Sequence, residues 1–127
     1  MIRLPKWMRA AMLATAVMNI LGAITFIPSA GALREMGGLP AAGHSLYLAM
    51  VGAFIFIFGI AYLWAAITGA ADRLFVAVAA AGKLAFFGLL VGYWVAGTLP
   101  ATAVMSGVGD LVFGSLFLIW LYRLEAG

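Results

Sequence analysis

The sequence has no cysteine and very little charge. Of its 127 residues 9% are charged, whereas soluble domains carry about 25%. The lack of cysteine excludes disulfides, thiolate-bound metals, cysteine-ligated iron–sulfur clusters and cysteine nucleophiles. The lack of charge excludes an ordinary water-soluble domain. Seven Lys and Arg residues form no basic patch that could follow a phosphate backbone, so we expect no nucleic-acid partner.

Apolar residues make up 67% of the chain and form long runs separated by a few charges and breaks. A helix that crosses a bilayer needs about 20 residues. Breaks at Pro28, at Pro40 and at Gly97–Pro100 leave room for four such helices. We therefore predict an all-α integral membrane four-helix bundle, a single transmembrane domain surrounded by membrane lipid. The predicted domain covers residues 1–127, and its helices cover residues 8–27, 45–68, 73–97 and 101–122.

The basic residues indicate the orientation of the bundle. With four spans, both termini and the turn at Asp72–Arg73 lie on one side, and the opposite side holds only Arg34. Cytoplasmic loops of membrane proteins carry an excess of Lys and Arg, so both termini are predicted to be cytoplasmic. The basic residues on that side are Arg3, Lys6, Arg9, Arg73 and Arg123.

The outer segment between the first two helices, residues 28–44, is the one loop long enough to fold on itself. Its adjacent Arg34 and Glu35 are expected to be solvated charges, and His44 a solvated residue at the start of the second helix. A metal or haem role for this single histidine is the weaker alternative, because no second histidine, cysteine or carboxylate cluster accompanies it. The residues assign no cofactor.

Each predicted helix carries one polar residue at a similar depth. Asn19, Tyr62, Lys83 and Asp110 lie ten to thirteen residues from the charges at the cytoplasmic helix ends. At 1.5 Å per residue that is about 15–20 Å, which is the middle of a hydrocarbon layer about 30 Å thick. An unpaired charge at that depth is unfavourable by at least about 2.5–3.5 kcal/mol. Lys83 and Asp110 are therefore expected to turn inward and form an ion pair.

Two interpretations of this polar layer remain open from the residues alone. The Lys83–Asp110 pair either fixes the helix register or belongs to a site for a ligand, an ion or a proton. Asn19 and Tyr62, with Thr15, either form interhelical hydrogen bonds or join that site if a cavity lies beside the pair. The candidate ligand-binding residues are Asn19, Tyr62, Lys83 and Asp110.

The third predicted helix contains GLLVG, a match to the GxxxG association motif, at Gly88 and Gly92. At 100° per residue these glycines lie about 140° and 180° around the helix from Lys83. If Lys83 faces the interior, the glycines face outward. A second copy of the chain or another subunit is therefore an expected partner through Gly88 and Gly92.

The segment from Phe26 to Ala66 resembles the loop and second helix of DoxX-like membrane proteins. In those small four-helix proteins the first helix is followed by a short segment ending in Gly-hydrophobe-Pro, here Gly38-Leu39-Pro40, and then by a glycine-spaced helix. Gly82-Lys83 and Gly109-Asp110 resemble the signature of a separate bacterial four-helix branch. The resemblance implies a multi-pass protein of the bacterial inner (cytoplasmic) membrane, in some branches an accessory to quinone-linked or oxidative-stress systems.

Three functions are compatible with these observations, and a non-enzyme is favoured over an enzyme. The first is an inner-membrane protein whose mid-membrane polar site binds a small lipophilic or anionic molecule, with or without transporting it. The second is an accessory subunit of a larger quinone-linked or redox complex. The third, a redox enzyme, depends on the resemblance alone. A cavity touching Lys83 would favour the first function, and a dry contact would favour the second.

A C-terminal reporter fusion tests the predicted orientation. A reporter that is active only in the cytoplasm should be active at this position, because five basic residues lie on the predicted inner side and one on the outer side. Activity confined to a reporter that works only outside the membrane would contradict the orientation and the depths derived from it.

Overall fold

The computed structural model describes residues 1–126 and is mostly helical. Four helical segments are long and apolar enough to cross a membrane, and α5 and α6 together form the fourth of these. The second predicted helix has the observed bounds, whereas the first lies at 6–25 rather than 8–27 and the third ends at 95 rather than 97. In chain order the elements are β1 (Ile2–Arg3), α1 (Lys6–Thr25), α2 (Gly31–Met36), α3 (Ser45–Thr68), β2 (Ala70–Ala71), α4 (Arg73–Val95), α5 (Ala101–Ser106) and α6 (Val108–Ala126).

Three local features differ from the sequence prediction. The outer loop contains the short helix α2, and the fourth helix, predicted to be continuous over 101–122, is interrupted at Gly107. A Cβ at Gly107 would lie 2.6 Å from Leu90 Cδ1, so this break brings the fourth span close to α4. The two-residue strands β1 and β2 pair antiparallel, which adds a minimal sheet to the expected all-helical fold. Strands this short have no alternation that a sequence pattern could reveal.

The turn between α3 and α4 is tied to the N-terminal segment. Gly69 ends α3 in the left-handed conformation (φ 71°), which favours glycine. Its carbonyl accepts a hydrogen bond from the Leu4 amide (2.8 Å). The Arg9 guanidinium donates to the Ala66 carbonyl from Nη2 (3.0 Å) and from Nε (3.2 Å). Arg9 therefore satisfies a carbonyl in the last turn of α3 in addition to contributing positive charge at this end of the bundle.

The helices pack as two pairs, α1 along α3 and α4 along α6. A Cβ at Gly59 would lie 3.1 Å from Asn19 Cβ, and one at Gly114 would lie 3.0 Å from the Leu84 side chain. Both glycines therefore allow the backbones of a pair to approach closely, which is the effect that small residues have between helices in membranes. Within the described residues, α3 and α4 make little close backbone contact although they are consecutive in the chain.

The hydrophobic core occupies the half of the bundle nearest the termini. It is built from the first half of α1, the last part of α3, the first part of α4 and the middle of α6. Its larger buried members include Met8, Met12, Tyr62, Val76, Phe117 and Trp120. The other half of the bundle contains a cavity, beside the close contact of Gly107 with Leu90.

Candidate functional site

The structure brings the four candidate site residues together around one ammonium group. Lys83 Nζ donates to Asp110 Oδ1 (3.1 Å) and to Asn19 Oδ1 (3.2 Å). It also lies over the ring of Tyr62, 5.1 Å from the ring centroid. The Lys83 side chain is 4% exposed and that of Asp110 is 17% exposed. Each of the four long spans thus contributes one member of this polar cluster.

Close helix packing explains how the polar cluster assembles. A Cβ at Gly114, one turn beyond Asp110 on α6, would lie 3.4 Å from Lys83 Cβ. Glycine at this position therefore allows the Asp110 carboxylate to reach the Lys83 ammonium. Gly59, one turn from Tyr62 on α3, allows a similar close approach to α1, because it lies against Asn19.

The surroundings of Lys83 compensate its charge in three ways. The Asp110 carboxylate supplies an opposite charge, the Asn19 amide oxygen supplies a neutral acceptor, and the Tyr62 ring presents its electron-rich face. The Asn19 amide is oriented by its own donor, since Nδ2 donates to the Ile55 carbonyl (3.1 Å). This second bond leaves Oδ1 facing the ammonium. A buried cation without such partners would be strongly destabilising.

A cavity of about 370 Å³ adjoins the polar cluster. Asn19, Tyr62, Lys83 and Asp110 all line it, and the rest of its wall is mostly apolar. The apolar lining includes Phe26, Phe54, Ile55, Phe58 and Phe86. This size falls within the range of about 300–1,000 Å³ typical of small-molecule sites, which combine apolar walls with a few polar groups.

Arg34 was expected to be a solvated charge, and the structure shows that this expectation is wrong. The residue is 2% exposed, and all of its guanidinium nitrogens donate to backbone carbonyls. The cause is the path of the outer loop, which folds around the guanidinium and directs carbonyls from both of its ends toward it. The acceptors are the carbonyls of Thr25 (3.0 Å), Ile27 (2.7 Å), Pro28 (3.1 Å), Pro40 (3.3 Å) and Ala41 (2.6 Å).

The outer loop, held by Arg34, forms a roof over the cavity. Leu33, Arg34, Gly37 and Leu39 line the cavity from this side. The roof is attached to α5, because the Ser106 hydroxyl donates to the Gly37 carbonyl. Sequence reasoning missed Arg34 as a cavity residue because its partners are backbone groups, which leave no mark in the sequence.

Two further expectations concern Thr15 and His44. Thr15 was grouped with the interhelical hydrogen bonds, but its hydroxyl is buried without a hydrogen-bond partner among residues 1–126. It lies within the packed half of the bundle and outside the cavity lining.

His44 is exposed and caps α3, where its Nδ1 accepts from the Leu46 amide (3.2 Å). In the described part of the chain no group of three or more His, Cys, Asp or Glu residues could hold a metal ion.

Comparisons of the chain with protein-family models, with curated proteins and with solved structures find no match. The function proposed below therefore depends on the geometry of the polar cluster and its cavity, together with the sequence.

A double-mutant cycle tests the Lys83–Asp110 contact. Lys83→Met or Asp110→Leu alone leaves the other charge buried without its partner, which for buried pairs costs about 3–5 kcal/mol. Each single variant should therefore express poorly and unfold at a lower temperature. The double variant removes both charges and should recover much of the lost stability. If its stability equals the sum of the two single effects, the residues do not interact.

Proposed function

We propose that the protein is a non-enzymatic, multi-pass inner-membrane protein that binds a small lipophilic or anionic molecule within its bundle. The carrying observation is the cavity of about 370 Å³ that touches Lys83 and Asp110. In this proposal the four polar residues orient the ligand and the aromatic wall holds its apolar part.

The position of the polar cluster argues for a site over a register device. A device that only fixes register works best as a dry contact sealed by packing on every side. The Lys83–Asp110 pair is packed on one side against the core and borders the cavity on the other. The carboxylate retains partial exposure, so part of it is accessible from the cavity. A ligand can therefore reach the pair without displacing the core.

The membrane placement belongs to the same proposal. The excess of basic residues favours cytoplasmic termini, and the resemblance to DoxX-like proteins favours a bacterial inner membrane. In this orientation the packed half of the bundle faces the cytoplasm and the roofed cavity faces the outer side. The polar cluster then lies at mid-membrane depth.

Gly82 offers a direct way to fill the cavity. It lies on α4 between Val78 and Phe86, at steps of four residues, and all three line the cavity. A Cβ built at Gly82 meets no heavy atom within 4 Å, so a larger side chain enters open space. Gly82 is exposed and borders the cavity, so Gly82→Leu should narrow the cavity with little disturbance of the helix packing.

Mass spectrometry of co-purified small molecules tests the proposal. The wild-type protein should retain a specific molecule through purification, and Gly82→Leu should retain at least about tenfold less, an expected loss of about 1.4 kcal/mol in binding. Ala85→Leu is the matched control, because Ala85 is exposed on the same helix and lies outside the cavity lining. A molecule retained equally by Gly82→Leu, or none enriched over an empty-membrane control, would contradict ligand binding in this cavity.

The second candidate function is that of an accessory subunit, and the surroundings of two glycines favour it. Built Cβ atoms at Gly88 and Gly92 meet no heavy atom within 4 Å, so neither glycine is needed for packing within the chain. We propose that this side of α4 packs against a second copy or another membrane subunit, where small residues allow close approach.

Gly88→Ile tests the association. The added side chain should prevent close helix approach, and so weaken a homodimer or complex while leaving the monomer folded. Size analysis in lipid nanodiscs or detergent would show the shift toward monomer. Unchanged association in both Gly88→Ile and Gly92→Ile would remove this surface as a partner site.

A further inference from the structure

The charges around the cavity do not balance. Lys83 and Asp110 compensate each other across 3.1 Å, but the described structure gives Arg34 no carboxylate within ion-pair distance. The adjacent Glu35 is exposed, whereas Arg34 is buried. The formal charge of the cavity wall is therefore +1, carried by a guanidinium whose hydrogen bonds all go to neutral carbonyls.

Neutral carbonyls solvate a guanidinium but leave its net charge in place. In an apolar interior an uncompensated charge acts at longer range than in water, because little solvent screens it. An anion that enters the cavity is attracted to this wall, whereas a cation is repelled by it. The Asp110 carboxylate repels a nearby anion, but the Lys83 ammonium, 3.1 Å away, offsets that repulsion.

The polar end of the cavity can donate hydrogen bonds to an anionic group. Lys83 lines the cavity, and its ammonium donates to Asp110 and Asn19 and lies over the rings of Tyr62 and Phe113. The buried Tyr62 also borders the cavity and carries a hydroxyl donor. An acidic head at this end of the cavity would lie beside Lys83 and Tyr62, which both line it.

The rest of the cavity suits an apolar tail. Its wall is mostly apolar, and it reaches the lateral surface of the bundle between α3 and α4, which make little backbone contact with each other. Phe54 on α3 and Val78 on α4 line the cavity while remaining 61% and 49% exposed. In a membrane these side chains border lipid, so a tail can extend from the cavity into the acyl-chain region.

We propose that the ligand is an amphipathic anion, whose acidic head contacts Lys83 and whose apolar tail follows the gap between α3 and α4. The proposal rests on the function proposed above and specifies the charge and shape of the ligand. Fatty acids, acidic lipids and free lipophilic acids share this chemistry, and the test uses a simple probe of that class.

Three probes with the same ten-carbon tail separate charge from hydrophobicity. They are decanesulfonate, decanol and decyltrimethylammonium, whose charges do not change with pH. Binding is measured in lipid nanodiscs for the wild type and for Gly82→Leu, and the difference between the two removes nonspecific partitioning into lipid. We expect the cavity-specific affinity for the sulfonate to exceed that for decanol by about tenfold or more, with the cation weakest.

A rescue experiment locates the acidic head. Asp110→Ala removes the carboxylate partner of Lys83, and decanesulfonate should then supply the missing anion. The probe should raise the unfolding temperature of Asp110→Ala more than that of the wild type, whereas decanol should raise both equally. If Asp110→Ala does not fold, Asp110→Asn retains the side-chain volume and permits the same comparison.

The outcomes separate this inference from the function on which it rests. Equal or stronger cavity-specific binding of decanol or the cation would overturn the anionic head and leave ligand binding intact. If no probe binds less to Gly82→Leu than to the wild type, the result contradicts both the anionic ligand and ligand binding in this cavity. Tight sulfonate binding without rescue of either Asp110 variant would overturn the placement of the head at Lys83.

Discussion

The buried ammonium of Lys83 is the constraint around which the bundle is organised. A lysine in the middle of a long apolar helix needs partners inside the protein, because an apolar environment solvates its charge poorly. The partners come from three other helices. Glycine allows α6 to approach α4 closely at Gly114 and α3 to approach α1 closely at Gly59. The contacts of one ammonium thus bring residues of all four long helices to the same level of the bundle.

The polar cluster also marks where the packing of the molecule changes. On the side of the termini, buried side chains and the β1–β2 contact join the two helix pairs. On the other side the pairs separate along α3 and α4, and the space between them is covered by the outer loop. Because the cluster lies at this boundary, its charges are packed against the core on one side and border the cavity on the other. That combination of fixed geometry and access is what a binding site requires.

Sequence reasoning located the polar cluster but not the cavity or its roof. Lys83 and Asp110 stand out because a charge within a long apolar run is rare, and counting residues from the helix ends placed Asn19 and Tyr62 at the same depth. The cavity depends on how far apart α3 and α4 lie, which no residue pattern along either helix encodes. Arg34 was misjudged because its acceptors are backbone carbonyls, and the break at Gly107 because its cause is the contact with α4.

The hydrogen bonds of Arg34 also restrict the conformational freedom of the outer loop. Five carbonyls, from residues before and after Arg34, accept hydrogen bonds from one guanidinium, and these bonds restrain the backbone of the segment between them. Ordering a free backbone residue is unfavourable by about 1–2 kcal/mol. If a molecule binds beneath this loop, the entropic cost of ordering the restrained residues belongs to folding of the chain and not to binding.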